Sequence, residues 1–428
     1  MKQLYPYQEE AVNSIIDQGG LILGDECGLG KTVVAIETVK KLTVYWFDHW
    51  KVLIVCPKSL VLQWLRAINE QMPEANITIT NRIPYDMNQL SGWIIATYPE
   101  LANNAQFELF YNTLWDMVIL DEAHRIKNRD TKTSMAARQL LKGRGLALTG
   151  TPMEKSPGDL WALLNFIAPS KFNAYWGFVK RWLETHQDFF NHWVIDGPKD
   201  PTAFGEMLRP YLLRRTKEQV MPELPPKLVF DVPVSMTPEQ RLSYDVLATS
   251  KDLVVVVEER DMIVKNALDL LTKIQQLSVD PTLLGLKGGS GKLDWLHDFL
   301  QDHEEPAVIF SRFRDVAINL ARRYKGDLIV GGDRGADFIE GRNRLLFGTI
   351  AAMGEGLNLQ RAAYAIFLDC SWSTIQMAQA IDRIHRVNID EPKVIYRLTS
   401  CKEDELVLTA LEKKWTEADL VYYFLRSG

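Results

Sequence analysis

Short runs of consecutive apolar residues recur along the first half of the chain. Each ends on polar residues, and each is followed by a segment whose apolar positions are spaced for a helix. The runs are Leu21-Ile22-Leu23, Val52 to Cys56, Ile94 to Thr97, Met117 to Leu120 and Leu146 to Leu148. Runs this short, apolar at successive positions, predict strands inside a sheet covered on both faces. The intervening segments, among them Glu9 to Ile16 and Val33 to Leu42, predict helices packed on that sheet. Alternation of this kind implies right-handed crossovers and therefore a parallel sheet. The polar residues at the ends of the runs are Pro57-Lys58-Ser59, Thr97-Tyr98, Asp121-Glu122 and Thr149-Gly150-Thr151. In a parallel sheet those positions face the ligand crevice.

From Leu160 to Val220 the pattern turns helical and aromatic, with Phe172, Tyr175, Trp176, Phe178, Trp182, Phe189, Phe190 and Trp193 close together. Aromatic residues can stack on nucleic-acid bases. Basic residues are not interleaved throughout, which favours core packing of a helical insertion. Pro222-Glu223-Leu224-Pro225-Pro226 then breaks the chain and predicts a domain boundary, with one domain at 1–225 and another at 226–428. A second helical stretch is expected from about Pro238 to Leu277, within an insertion at about 236–284. Inside it, Leu253 to Val257 fits a short strand or a buried helix equally well. Gly285 to Lys292 looks like a phosphate loop, but Leu293 follows the lysine and no buried strand precedes it, so a flexible hinge is expected. Strand-like runs resume at Val308 to Phe310, Leu328 to Val330, Leu345 to Ile350, Ala365 to Leu368 and Val394 to Leu398.

Composition narrows the class without choosing the function. The 428 residues are too many for one ordinary core and suit two domains. An apolar share of 46% and a charged share of 24% are those of a globular protein. No stretch has the form of a signal peptide or a membrane span. Cys27, Cys56, Cys370 and Cys401 are scattered, with no paired spacing for zinc or for a disulfide framework, so a reducing compartment is expected. At a net charge of −6 there is no general basic surface, and any nucleic-acid contact must come from a local groove.

The densest chemistry lies in Gly24-Asp25-Glu26-Cys27-Gly28-Leu29-Gly30-Lys31-Thr32, between a predicted strand and a predicted helix. A triphosphate needs inward-pointing backbone N–H groups with a helix N-terminus behind them, and a side chain at Gly28 or Gly30 would block that approach. Lys31 is placed to reach the β- and γ-phosphates, and Thr32 to hold magnesium. Asp25 stands where the usual pattern has its first glycine, so a plain strand-to-helix turn remains the alternative. Asp121 and Glu122, at the end of a second buried run, fit a magnesium ligand and a group that orients and deprotonates the attacking water. Cys27 reads as a small residue filling a tight loop. Gln8, upstream, has the donor and acceptor to read an adenine edge.

The second half has no phosphate loop of its own, which suggests one nucleotide shared by two sheets. Gln379, Arg383 and Arg386 fall at spacings of four and three, one face of a helix. Two guanidiniums there fit stabilisation of a γ-phosphate transition state. A solvated basic face fits the spacing as well.

In order along the chain, these segments resemble the motifs of the Swi/Snf family of helicase-like ATPases of superfamily two. The phosphate loop resembles the first motif, and Asp121-Glu122-Ala123-His124 the second. Leu148-Thr149-Gly150-Thr151-Pro152 is similar to the motif that couples hydrolysis to DNA contact. Leu213-Arg214-Arg215-Thr216-Lys217-Glu218-Gln219-Val220, with Leu224-Pro225-Pro226-Lys227, resembles a signature of this family rather than of helicases at large. Ile309 to Phe313, Gly354 to Leu359 and Gln379 to Arg386 resemble the later motifs. The chain departs at Tyr5, where an arginine is usual, at Met353, where a glycine is usual, and at Asn388-Ile389, where Gly-Gln is usual. These departures bear on DNA coupling more than on hydrolysis.

The resemblance implies an α/β fold of two RecA-like parallel-sheet lobes in tandem with helical insertions, ATP and Mg2+ as cofactors, and double-stranded DNA as partner. It implies Gln8 as adenine reader and Gly28, Leu29, Gly30, Lys31, Thr32 and Gly356 as nucleotide-binding residues. Lys31, Asp121, Glu122, Gln379, Arg383 and Arg386 become the catalytic set, with Thr32 and Asp121 on the metal and the two arginines as fingers. Lys58, Ser59, Thr97, Arg312 and Asn358 become DNA contacts, mostly to phosphate and so with little sequence preference. The expected function is an ATP-driven motor on duplex DNA. A strand-separating DNA or RNA helicase and an ATP-switched clamp with slow hydrolysis are the alternatives. With no segment assigned to reading chromatin, a compact engine in a bacterial or virus-infected cytoplasm is expected, or a nuclear one in a eukaryote.

Overall fold

The computed structural model describes residues 3–43, 50–80, 91–102, 108, 110–153, 156–187, 191, 193–249, 254–257, 260–263, 267–331, 335–354, 357–386 and 391–413, with the backbone alone at 254–257, 260–263 and 267. The chain forms two compact units, Met1–Pro222 and Glu223–Gly428.

The strands of the first unit are β1 (Gly20–Leu23), β2 (Lys51–Cys56), β3 (Ile77–Ile79), β4 (Gly92–Thr97), β5 (Trp115–Asp121), β6 (Lys142–Leu148), the pair β7 (Leu183–Gln187) and β8 (Trp193–Pro198), and β9 (Leu212–Leu213). Among the described residues seven of them make one sheet in the order β3-β4-β2-β5-β6-β1-β9, parallel throughout. The central strands are buried on both faces because they separate two cores. Ile22, Leu53, Val55, Val118 and Leu120 point into one, while Leu21, Leu23, Val52, Ile54, Met117 and Ile119 point into the other. The helices Pro6–Gln18, Lys31–Thr43 and Val61–Gln71 cover the second core through Val12, Ile15, Val34, Val39, Trp64 and Ile68. The helix Leu160–Ile167 is buried on every side and fills the first.

The segment 160–220 is not helical throughout, as the sequence pattern predicts. Helix Tyr175–Trp182 runs into the antiparallel hairpin β7–β8, and helix Pro201–Leu208 follows. Its aromatic residues divide between two environments. Phe172 and Phe178 are core residues, edge-on to each other at 6.2 Å, whereas Trp176 and Trp193 are 53% and 56% exposed. Phe189 and Phe190 lie outside the described residues.

The second unit holds β10 (Lys227–Pro233), the hairpin β11 (Val254–Val257) with β12 (Arg260–Ile263), then β13 (Ala307–Ser311), β14 (Asp327–Ile329), β15 (Leu345–Thr349), β16 (Tyr364–Phe367) and β17 (Lys393–Thr399). Among the described residues six strands form a second sheet in the order β10-β17-β16-β13-β15-β14, again all parallel. Val254–Val257 is thus a strand, one of the two readings the sequence leaves open there, and it lies between helix Pro238–Thr249 and helix Ala267–Val279.

Gly285 to Lys292 differs from the expected flexible hinge at its C-terminal end. Ser290 caps helix Gly291–Asp302, and a Cβ at Gly291 would sit 1.9 Å from the Ser235 carbonyl oxygen. Lys292 is fully buried, 2.7 Å from Asp404 and 3.2 Å from Ser278. A buried ammonium persists only when paired and hydrogen-bonded, so the lysine of this look-alike phosphate loop is a core residue. Among the described residues no helix is long and apolar enough to cross a membrane.

Candidate nucleotide site

The first unit gathers its polar chemistry at the carboxyl ends of β1, β5 and β6. Beyond β1 the chain turns through Gly28 and Gly30, whose φ angles of 89° and 81° suit glycine. Gly30 is also needed for space, since a Cβ there would stand 2.5 Å from Nε2 of Gln8. Lys31 opens the next helix and folds its ammonium back over the loop, donating to the carbonyl oxygens of Asp25 (2.7 Å) and Glu26 (3.3 Å). Thr32 follows in the first turn. Backbone donors, a helix N-terminus and an ammonium on one loop make an anion cradle.

Gln8 is 5% exposed. It donates from Nε2 to the Leu29 carbonyl at 3.1 Å, and its Oε1 accepts from the backbone N–H of Tyr5 at 3.1 Å. The glutamine segment is therefore tied to the phosphate loop itself, with the Tyr7 hydroxyl donating to the same Leu29 carbonyl.

Asp121 ends β5. Its Oδ2 accepts from the indole N–H of Trp64 at 2.8 Å, and its Oδ1 from the backbone N–H of Glu122 at 2.9 Å. Burial, and then the neighbouring Glu122 carboxylate, push its pKa up to about 6, against the pull of Trp64 and of the Lys31 ammonium. Glu122 has a left-handed backbone, φ 50° and ψ 49°, which a non-glycine residue adopts at a cost and which clusters at functional sites. His124 Nδ1 lies 3.3 Å from Oε2 of Glu122 and 3.5 Å from the Thr149 hydroxyl. The Thr149 hydroxyl in turn accepts from the backbone N–H of Thr151 at 3.1 Å. A polar chain thus links the carboxylates beyond β5 to the loop beyond β6. Gly150 packs against the phosphate loop so closely that a Cβ would meet Cys27 Sγ at 2.5 Å. A bulkier residue than cysteine would part the two loops.

Residues that the sequence reasoning did not assign complete the site. Asp25 is 1% exposed. Arg215 grips it through Nη2 to Oδ2 at 2.7 Å and Nε to Oδ1 at 3.1 Å, and the Arg215 backbone N–H adds a third contact at 3.0 Å. The same guanidinium donates to the Tyr7 carbonyl at 2.6 Å and to Glu10 at 2.9 Å. Asp25 therefore replaces a loop glycine because it anchors the loop to the segment after β9. The signal was present as an unexplained carboxylate in the loop and as the pair Arg214-Arg215, which the family resemblance marks without giving it a partner. Trp64 had none, because only the fold brings its helix to β5.

The candidate DNA contacts are differently placed. Lys58 and Ser59 are exposed just beyond the carboxyl end of β2. Thr97, at the end of β4, spends its hydroxyl and its backbone N–H on Glu100, at 2.8 Å and 2.7 Å. In the second unit Arg312 follows β13, with its guanidinium 4.0 Å from the Trp372 ring centroid and bonded to the buried Gln275. Asn358 is exposed, its side-chain oxygen accepting from the Gln360 N–H at 3.2 Å.

The second unit does not carry Gln379, Arg383 and Arg386 on one helix face, as the spacing predicts. The helix Thr374–Asp382 ends first, with Arg383 as its cap, and the N–H groups of Arg383 and Ile384 bond only three residues back, in tighter turns. Arg383 is buried and donates from Nε to the Gly354 carbonyl at 2.9 Å. Arg386 donates from Nε to the Asp382 carbonyl at 3.3 Å. Gly356 lies outside the described residues.

A family profile described as the SNF2-related domain matches residues 7–283, and one described as the helicase conserved C-terminal domain matches residues 291–388. The chain is 28% identical over 421 residues to an uncharacterized ATP-dependent helicase of Mycoplasma pneumoniae, covering 92% of this chain and 39% of that protein. It is 28% identical over 482 residues to the ISWI chromatin-remodeling complex ATPase ISW1 of Saccharomyces cerevisiae, covering 97% of this chain and 42% of that one. The chain thus spans about two fifths of the length of these curated relatives. Among solved structures it is similar to the Sulfolobus solfataricus SWI2/SNF2 ATPase core in complex with dsDNA, at 23% identity and a TM-score of 0.46, covering 96% of this chain and 91% of that chain.

Proposed function

The chain belongs to the SNF2-related family of helicase-like ATPases, and from that premise we propose that it is an ATP-driven motor that moves along double-stranded DNA. The observation that carries the reading is the grip of Arg215 on Asp25. It ties Arg215, within the Leu213 to Val220 part of the family's signature, to the phosphate loop, which supports a role for that part, though not for Leu224 to Lys227, in the nucleotide site.

In this reading the loop N–H groups and Lys31 hold the β- and γ-phosphates. The buried Asp121, with a second carboxylate beside it, has the donor chemistry for a divalent cation, which would relieve the repulsion between the two. Thr32 and Asp121 would hold magnesium, and the ion would neutralise charge on the phosphate oxygens. Glu122, oriented by His124, directs and deprotonates the attacking water. Arg383 and Arg386 stabilise the charge that spreads over the transferred phosphoryl group. Lys58 and Ser59, exposed beyond the end of β2, and Asn358, exposed in the segment before β16, support contact with DNA phosphates, and phosphate contacts let a motor step along an intact duplex.

The test pairs two assays on the purified protein. ATP hydrolysis should be stimulated by duplex DNA, and a third strand should be displaced from a triplex in an ATP-dependent way. A tailed duplex should release little single strand. Efficient unwinding without triplex displacement would make the protein a helicase, and DNA binding without turnover would make it a clamp.

A further inference from the structure

The outer edge of the second unit's sheet has features that no step of nucleotide chemistry uses. Among the described residues β10 has a single sheet neighbour, β17. Its consecutive apolar residues Leu228, Val229 and Phe230 are 41%, 41% and 48% exposed. An open apolar edge is a template for another strand, and proteins usually blunt it.

The ladder shows which backbone groups face outward. The Lys393 N–H donates to the Pro226 carbonyl and the Val234 N–H to the Thr399 carbonyl. Even-numbered residues of β10 therefore turn their hydrogen-bonding groups toward β17. In a parallel ladder the alternate residues, Lys227, Val229 and Asp231, turn theirs away. Pro233, which has no N–H, belongs to the outward set, so it costs the existing ladder nothing and closes the outward row.

We infer that this edge pairs with the β10 edge of a second copy of the chain, antiparallel, about a two-fold axis at Val229. Outward groups then meet outward groups, as an antiparallel ladder requires. Lys227 stands opposite Asp231 of the copy, and Leu228 opposite Phe230. Sliding the register either way sets Lys227 against Pro233 or Val229 and leaves Asp231 against an apolar residue or a proline, so charge selects the symmetric register. Two of the side chains are already held in place. Phe230 stacks on Tyr396 at 5.8 Å, and Asp231 is gripped by Arg397 at 2.6 Å and 2.8 Å. Less freedom is lost on pairing as a result. So short a strand makes a small interface, and the dimer is weak and reversible, with half-dissociation on the order of 100 μM.

Sedimentation velocity on the whole chain, free of nucleic acid and run over a wide concentration range, should show a monomer–dimer equilibrium. Lys227→Glu places like charges opposite each other and should weaken it by about tenfold or more. Val229→Pro removes the outward N–H on the axis without touching the bonds to β17 and should abolish the dimer. ATP hydrolysis should be unchanged in both variants, which shows that they fold. A wild-type chain that stays monomeric, including one that instead takes up an extended apolar peptide on β10, overturns the inference. So does a dimer that both variants leave intact.

Discussion

Arg215→Ala should loosen the nucleotide site from a position outside the phosphate loop. The change deletes both side-chain bonds to Asp25 together with those to the Tyr7 carbonyl and Glu10. Asp25 is 1% exposed, so its carboxylate would remain buried with the residue-215 backbone N–H as its known partner on that segment. Removing one member of a buried pair costs about 3–5 kcal/mol. The surviving backbone bond places this case near about 3 kcal/mol, or roughly a hundredfold in the local opening equilibrium. Because the chain has two units, a single denaturation midpoint would mix their stabilities. Amide hydrogen exchange in Gly20–Leu23 and Leu212–Leu213 reads the effect where it arises. Faster exchange should be confined to the first unit, with weakened ATP binding alongside it. Arg215→Lys keeps the charge but not the planar fork and should fall between wild type and Arg215→Ala. Asp25→Asn combined with Arg215→Met should cost less than the sum of the single changes. Exchange rates within about twofold of wild type in Arg215→Ala would refute the claim that this pair anchors the loop.

Lys31→Ala should reduce ATP turnover by at least about a hundredfold while leaving the fold intact, as circular dichroism and turnover on the same sample will show. Glu122→Gln should bind ATP, hydrolyse it poorly and accumulate in the ATP-bound state, and loss of ATP binding itself would make Glu122 a structural residue. Arg386→Ala should lower turnover by roughly a thousandfold with little change in ATP affinity, and equal losses in both would demote it to a ground-state binder. Lys142, whose ammonium burial pushes down from 10.5 to about 8, binds its proton more weakly when folded. The unfolded chain therefore holds more protons between those values, and stability from this group rises with pH across that window. Amide exchange in Lys142–Leu148, corrected for the intrinsic pH dependence of exchange, should show Lys142→Met flattening that rise relative to wild type and gaining most at neutral pH.

Strands were legible in the sequence wherever both faces are buried. Leu21 to Leu23, Val52 to Cys56 and Met117 to Leu120 read as strands because alternate residues enter two cores and none can be polar. The phosphate loop and the Asp121-Glu122 pair were legible for a related reason, because their chemistry is local and strand, loop and helix are contiguous in the chain. Less was visible where one face meets solvent. β10, with nearly every residue exposed, and the two-residue β9 carry no periodicity that separates them from loop, and hairpin β7–β8 was hidden within an aromatic stretch.

Tertiary structure alone decided the pairings between residues distant in the chain. Asp25 with Arg215, Asp121 with Trp64, and Lys292 with Asp404 are each made by elements that the sheets bring together. It also decided between local readings that spacing leaves equal. Lys292, after glycines, is a core ion-pair residue because no strand feeds its loop, while Lys31 lies over a glycine loop because β1 does. Arg383 and Arg386 left their expected shared face because the helix ends at Asp382. Sequence periodicity reports which faces are covered, but which polar groups share a buried space depends on chain crossings that no local pattern encodes.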